Sequence, residues 1–116
     1  MQGKTKLTKD KPEGQNKYYF ETVFDGLVGG FGVSYLNANQ NTTNIYNQDS
    51  YLMSGYGDLY YNGASKKIAP NVSRKTTKLA CLLDMDKGQL HFWHDDEDLG
   101  VAAEHVEGVL FPTSSI

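Results

Sequence analysis

The sequence is short of several things, and each shortage closes off a class of answer. It has one cysteine, Cys81, in 116 residues. A lone thiol cannot form an internal disulfide, so a reducing, intracellular setting (cytoplasmic or nuclear) is expected. No apolar stretch approaches the roughly 18 residues of a membrane span. The lysines near the N-terminus lead into no apolar segment, so no secretion signal is read there. Two glycosylation patterns, Asn41-Thr42-Thr43 and Asn71-Val72-Ser73, therefore carry little weight. The net charge is −3, so neither nucleic acid nor a membrane surface is an expected partner. No segment has a helical period of useful length, and there is no internal repeat.

What is present is β-sequence organised around Leu79–Gly100, LACLLDMDKGQLHFWHDDEDLG. Leu79-Ala80-Cys81-Leu82-Leu83 is an unbroken apolar run, the pattern of a strand covered on both faces. Asp84–Gly88 reads as a turn, with Gly88 free to take positive φ and the aspartates able to bond their own backbone. In Gln89–Trp93, Leu90 and Phe92 point one way, and His91 and Trp93 the other. Trp93 is expected to be partly buried on the second face. Asp95–Asp98 turns the chain again.

In chain order, residues 1–16 are polar and lysine-rich, with Pro12 and Gly14. They read as a disordered leader, the alternative being an edge strand laid along the domain. Lys17–Phe24 is aromatic and β-branched, a strand. Asp25-Gly26 signals a hairpin, with Leu27–Ser34 as the return strand. Its glycines suggest close backbone approach or a bulge. Tyr35 to Ser50, rich in asparagine, reads as a long loop. Leu59-Tyr60-Tyr61 reads as a short strand before an Asn62-Gly63 turn. Ala64–Lys78 reads as a basic loop. Ala102–Gly108 reads as a loop or one helical turn, and Val109–Pro112 as a last apolar run. Short strands separated by turns make the expected fold all-β, an antiparallel sandwich over residues 17–116.

The ordered pieces resemble the SPRY domain, called B30.2 when extended at its N-terminus. Tyr18-Tyr19-Phe20-Glu21 is similar to the family's opening strand, and Phe31-Gly32-Val33-Ser34 to its glycine-rich second strand. Ser50-Tyr51 through Leu59-Tyr60-Tyr61-Asn62-Gly63 resembles its serine–aromatic segment. Cys81–Leu90, Leu99-Gly100-Val101-Ala102, Gly108 and Leu110-Phe111-Pro112 complete the match. There are departures. Thr76-Thr77 replace a Gly-Asp pair, and Tyr51 stands where tryptophan is common. Asp95-Asp96-Glu97-Asp98 replace an Asn-Gly turn, which aspartate's tolerance of the left-handed region allows. The family pattern runs on past "FP" into a closing strand. An open sheet edge near residues 109–116, able to associate, is therefore expected of an otherwise monomeric domain.

The resemblance implies a bent, concanavalin-like sandwich that binds a peptide or protein through loops at one end. Such domains have no catalytic site. They serve as adaptors or as the substrate-choosing part of ubiquitin ligases. The residues point to the same surface independently. Six of the eight tyrosines lie between Tyr35 and Tyr61, among Asn, Ser and Gly. Tyrosine offers large contact area at low entropy cost, and Asn and Ser adapt their hydrogen bonds. The candidate contact residues are Tyr35, Asn37, Asn39, Tyr51, Ser54, Tyr56 and Asp58. Tyr60 and Tyr61 read instead as packed strand residues.

No cofactor or metal is expected. His91 and His94, three apart on a strand, face opposite sides. Asp84-x-Asp86-x-Gly88 lacks the remaining ligands of a calcium loop. No nucleophile motif frames the serines, so an enzyme ranks last. A lectin-like, carbohydrate-binding module is the alternative, since exposed aromatic rings with Asn and Asp suit sugars.

Overall fold

The computed structural model describes residues 6–35, 50–61, 64–70 and 76–115. Those residues form nine strands and no helix. The strands are β1 (Lys17–Asp25), β2 (Gly30–Tyr35), β3 (Ser50–Met53), β4 (Asp58–Tyr61), β5 (Ala64–Lys67), β6 (Thr76–Asp84), β7 (Gln89–His94), β8 (Glu97–Ala103) and β9 (Leu110–Ser115). They make two antiparallel sheets, ordered β1-β6-β7-β8 and β5-β4-β3-β2-β9. The inner faces meet in a core centred on Phe31. Its ring lies 5.5 Å from Phe20, 6.1 Å from Phe24 and 6.1 Å from Phe92. Leu79, Cys81, Leu83, Leu90 and Phe92 are wholly buried around it. Removing one such side chain from water stabilises by roughly 2 kcal/mol.

The central hairpin forms as its sequence predicts. In the β6–β7 turn, Asp84 Oδ1 accepts from the amides of Asp86 and Lys87, and Gly88 has φ 67°. The β7–β8 turn needs only two residues, Asp95 and Asp96, because His94 pairs with Glu97. Asp95 takes φ 53°. Its carboxylate accepts from the Lys78 amide at 2.9 Å, which holds the turn in place of the missing glycine. The register between β7 and β8 skips Leu99 and Ala102, a pair of bulges.

Five expectations are corrected. Asp25-Gly26 is not a hairpin: β1 pairs with β6, whereas β2 pairs with β3 and β9 in the other sheet. The turn carries the chain between layers. The basic stretch 64–78 is not all loop. It holds β5, paired with β4, and the start of β6. The stretch from Ala102 starts in strand, since β8 runs to Ala103. β6 is not covered on both faces. Among the described residues nothing packs as a layer over its outer side, where Leu82 is half-buried. Finally, residues 6–16 contact the domain, through an isolated bridge at Leu7 rather than an edge strand. Leu7 is buried and exchanges two backbone hydrogen bonds with Leu110, at 2.8 and 3.2 Å. Asn16 is wholly buried, and its amide nitrogen donates to Asp86 Oδ1 at 2.8 Å. The β9 edge read as open is thus covered at Leu110, and Pro112 within β9 is suited to an edge position.

Candidate functional site

A cleft of about 390 Å³ opens between β3–β4–β5 of one sheet and the end of β8 in the other. Tyr51, Leu59, Ala102 and Ala103 supply its apolar surface. Ser65, Lys66, Glu104 and His105 supply its polar groups. Tyr61 stands at the mouth, 42% exposed.

Close backbone approach builds the five-stranded wall. A Cβ on Gly32 would lie 2.0 Å from the Tyr51 carbonyl oxygen, so β2 and β3 meet only with glycine there. The β3–β4 turn is closed by the Ser54 amide donating to the Asp58 carbonyl at 2.8 Å. Its Gly57 carbonyl accepts from the amides of Ile68 and Ala69, and a Cβ on Gly57 would strike the Ala69 carbonyl. The turn is therefore pinned beneath the chain that follows β5.

Three tyrosines line up behind the mouth. Tyr61 stacks on Tyr51 with ring centres 4.2 Å apart and planes 3° from parallel. Tyr35 tilts against Tyr51 at 6.3 Å. The Tyr35 hydroxyl donates to the Glu107 carbonyl at 2.8 Å, and its ring covers Gly108. Burial, then hydrogen bonds with Tyr61 and Tyr35, push the Tyr51 hydroxyl well above the ordinary tyrosine range. The Tyr51 hydroxyl therefore stays protonated. On the facing side His105 takes φ 59°, and Val106 bonds back to the Gly88 carbonyl at 2.9 Å.

The structure distributes the sequence-predicted residues unevenly. Tyr35 and Tyr51 join the tyrosine row, but Tyr51 is only 4% exposed and offers the cleft little surface. Ser54 is buried inside the turn, and its hydroxyl has no hydrogen-bond partner among the described residues. Tyr56 is 70% exposed at the tip of that turn, and its carbonyl accepts from Lys67 Nζ. Asp58 is half-buried beside Lys67 at 3.8 Å. None of these last three lines the cleft. Asn37 and Asn39 lie outside the described residues. Sequence reasoning missed Tyr61 and Ala102–His105. The Asn62-Gly63 turn signal beside Tyr61 is the one local hint that Tyr61 sits at an end of the sandwich rather than in its middle.

Among the described residues no three His, Cys, Asp or Glu side chains are grouped to hold a metal. The Asp84–Asp86 pair is already committed to backbone amides and to Asn16.

The model of the SPRY domain matches residues 17–116. The chain belongs to the SPRY domain family. A solved SPRY domain, that of human HERC1, superposes with a TM-score of 0.70, covering 96% of this chain and 69% of that one at 22% identity. At that identity the likeness speaks for the fold. A comparison with curated proteins finds no match. SPRY domains are generally protein-interaction modules and typically non-catalytic. The two-sheet sandwich, the ordered motifs and the match agree on the family, whose members generally bind proteins or peptides.

Proposed function

We propose that this SPRY domain recognises a short peptide segment of a partner protein in the cleft between Tyr51–Tyr61 and Ala102–His105. The observation that carries the reading is the combination of a rigid aromatic wall with a small-residue floor. Stacked tyrosines lose little entropy on binding, and the two alanines leave room for an apolar anchor. Ser65, Lys66, Glu104 and His105 supply hydrogen bonds and both signs of charge around it. β5 lies at the sheet edge with all four residues exposed. An extended segment entering the cleft has that edge to pair with.

In this reading the domain is the partner-choosing part of a larger protein, an adaptor or the substrate-selecting arm of a ubiquitin ligase. The setting is intracellular, in keeping with a single thiol that burial keeps protonated. The test is selection from displayed random peptides, with the native domain beside Ala64→Arg. Ala64 is exposed and pairs with Tyr61 on the cleft side of the sheet, so arginine there fills the cleft while the unfolding midpoint stays unchanged. The native domain is expected to enrich one consensus with an apolar anchor, and the variant to lose it. No consensus, or the same consensus from both, would overturn the reading. A glycan array on the native domain checks the lectin alternative.

A further inference from the structure

The outer face of the four-stranded sheet lies on the far side of the core from the cleft. Strand register places its side chains in two rows. One row runs Tyr19, Leu82, His91, Val101, and the next Glu21, Ala80, Trp93, Asp98. Tyr19 is 58% exposed and Val101 43%, and Val23 beside Lys78 is 62% exposed. Three of the largest exposed apolar side chains thus share one face that no described layer covers. Scattered exposed apolar residues need no explanation, but a contiguous set does.

The face is also built. Trp93 stacks on His91 with ring centres 4.2 Å apart and planes 11° from parallel, and Tyr19 meets Trp93 edge-on at 6.0 Å. Carboxylates frame this aromatic group. The Tyr19 hydroxyl donates to Glu21 Oε2 at 3.0 Å. His91 Nε2 lies 2.5 Å from Asp98 Oδ1, and the Asp98 side chain is exposed. Asp96 is almost fully exposed, 3.5 Å from Lys78 Nζ. That lysine also approaches Glu21 at 4.0 Å. Two lysines, Lys17 and Lys78, thus share the face with four carboxylates, Glu21, Asp25, Asp96 and Asp98. The His91 contact and the Gly100 amide hold the Asp98 carboxyl below the usual range, so it stays ionised.

We infer that this face docks a basic, arginine-bearing segment of a partner protein. Charge complementarity selects the occupant. A guanidinium lies flat on an aromatic ring and forks to a carboxylate, and its alkyl stem covers aliphatic surface. Tyr19 and Trp93 are the rings, Glu21, Asp96 and Asp98 the carboxylates, and Leu82 and Val101 the aliphatic ground between. A second copy would bring the same acidic face against this one. An anionic membrane would meet like charge.

Trp93 is the only tryptophan in the chain, so its fluorescence reports this face alone. The probe is acetyl-Leu-Arg-Ile-Arg-amide, titrated into the whole protein. Its control carries citrulline, uncharged and of the same shape, at both arginines. A saturable change in emission is expected with the first peptide, its midpoint raised about tenfold by the citrulline exchange, the scale of a lost charge-assisted pair. Added salt should weaken it. Glu21→Gln with Asp98→Asn should raise the midpoint about fivefold, the variant's fold checked by its unfolding midpoint. Val23→Lys, an exposed site that needs no refolding, should weaken binding too. Ala64→Arg in the cleft should change nothing, which separates this face from the cleft. Equal response to both peptides, no response up to millimolar peptide, or a response to lactose instead would each overturn the inference.

Discussion

Strands β6 and β7 present two faces, and the faces differ in almost everything. The inner one carries Leu79, Cys81, Leu83, Leu90 and Phe92, none with measurable exposure. The outer one carries Lys78, Ala80, Leu82, His91 and Trp93, among carboxylates from β1 and β8. An apolar run such as LACLL reads as a strand sealed on both sides. Here the second layer is absent among the described residues. Trp93 and its neighbours shield Ala80, which keeps only 2% exposure opposite that ring. A run of apolar residues therefore marks where burial is available, not how many layers supply it.

Substitutions on the two faces should separate by nearly an order of magnitude. Phe92→Ala empties the contact with Phe31 and should cost about 4 kcal/mol in urea unfolding. A value like that of a surface site would break the comparison. Gly32→Ala tests the other sheet. Its Cβ has nowhere to go but the Tyr51 carbonyl, so about 3 kcal/mol should be lost by the same measurement. Asn16→Ala should cost about 2 kcal/mol, because the wholly buried side chain loses its bonds to Asp86 and to the Lys11 and Pro12 carbonyls. At the small end, Val101→Thr on the outer face should move stability by no more than about 0.5 kcal/mol.

Acid should act on the N-terminal anchor. The Asn16 side chain, then the amides of Asn16 and Gly14, hold the Asp86 carboxyl below its ordinary 3.8. A carboxyl lowered in the folded state stabilises above the unfolded value and loses that contribution as pH falls through the folded one. Stability should therefore decline below about pH 4, the ordinary carboxylate range. Asp10 and Asp98 are lowered too and add to the slope. Asp86→Asn should flatten part of the decline, and an unchanged pH profile would remove the anchor from the account.

Much of this fold is legible in the amino-acid sequence alone. Lys17–Phe24 and Leu79–Trp93 announce themselves because alternation and apolar runs are local signals. The Asp95 turn is legible because aspartate tolerates the conformation the turn requires. What is not legible depends on partners far away in sequence. Asp25-Gly26 says that the chain turns, not which sheet receives it. β5 is exposed along its whole length, so Ala64–Lys67 shows no period. Residues 6–16 look disordered by composition, yet Leu7 and a hydrogen-bond set 70 residues apart in sequence hold them. The cleft itself joins Tyr61 to Ala102–His105 across two sheets. The tyrosine-rich stretch is legible as a whole, but Tyr51 and Ser54 are buried while Tyr61, stacked on Tyr51, stays exposed at the sheet's end, and local chemistry does not encode that.

The most direct test is a two-dimensional NMR titration that watches both surfaces at once. The peptide selected on the cleft should move the amides of Tyr61, Ala64–Lys66 and Ala102–His105 and leave the Trp93 indole signal still. The arginine peptide should move the indole and leave the cleft amides in place. If the selected peptide instead moves the indole, or leaves the cleft amides unmoved, the cleft is not the recognition site and the central claim fails.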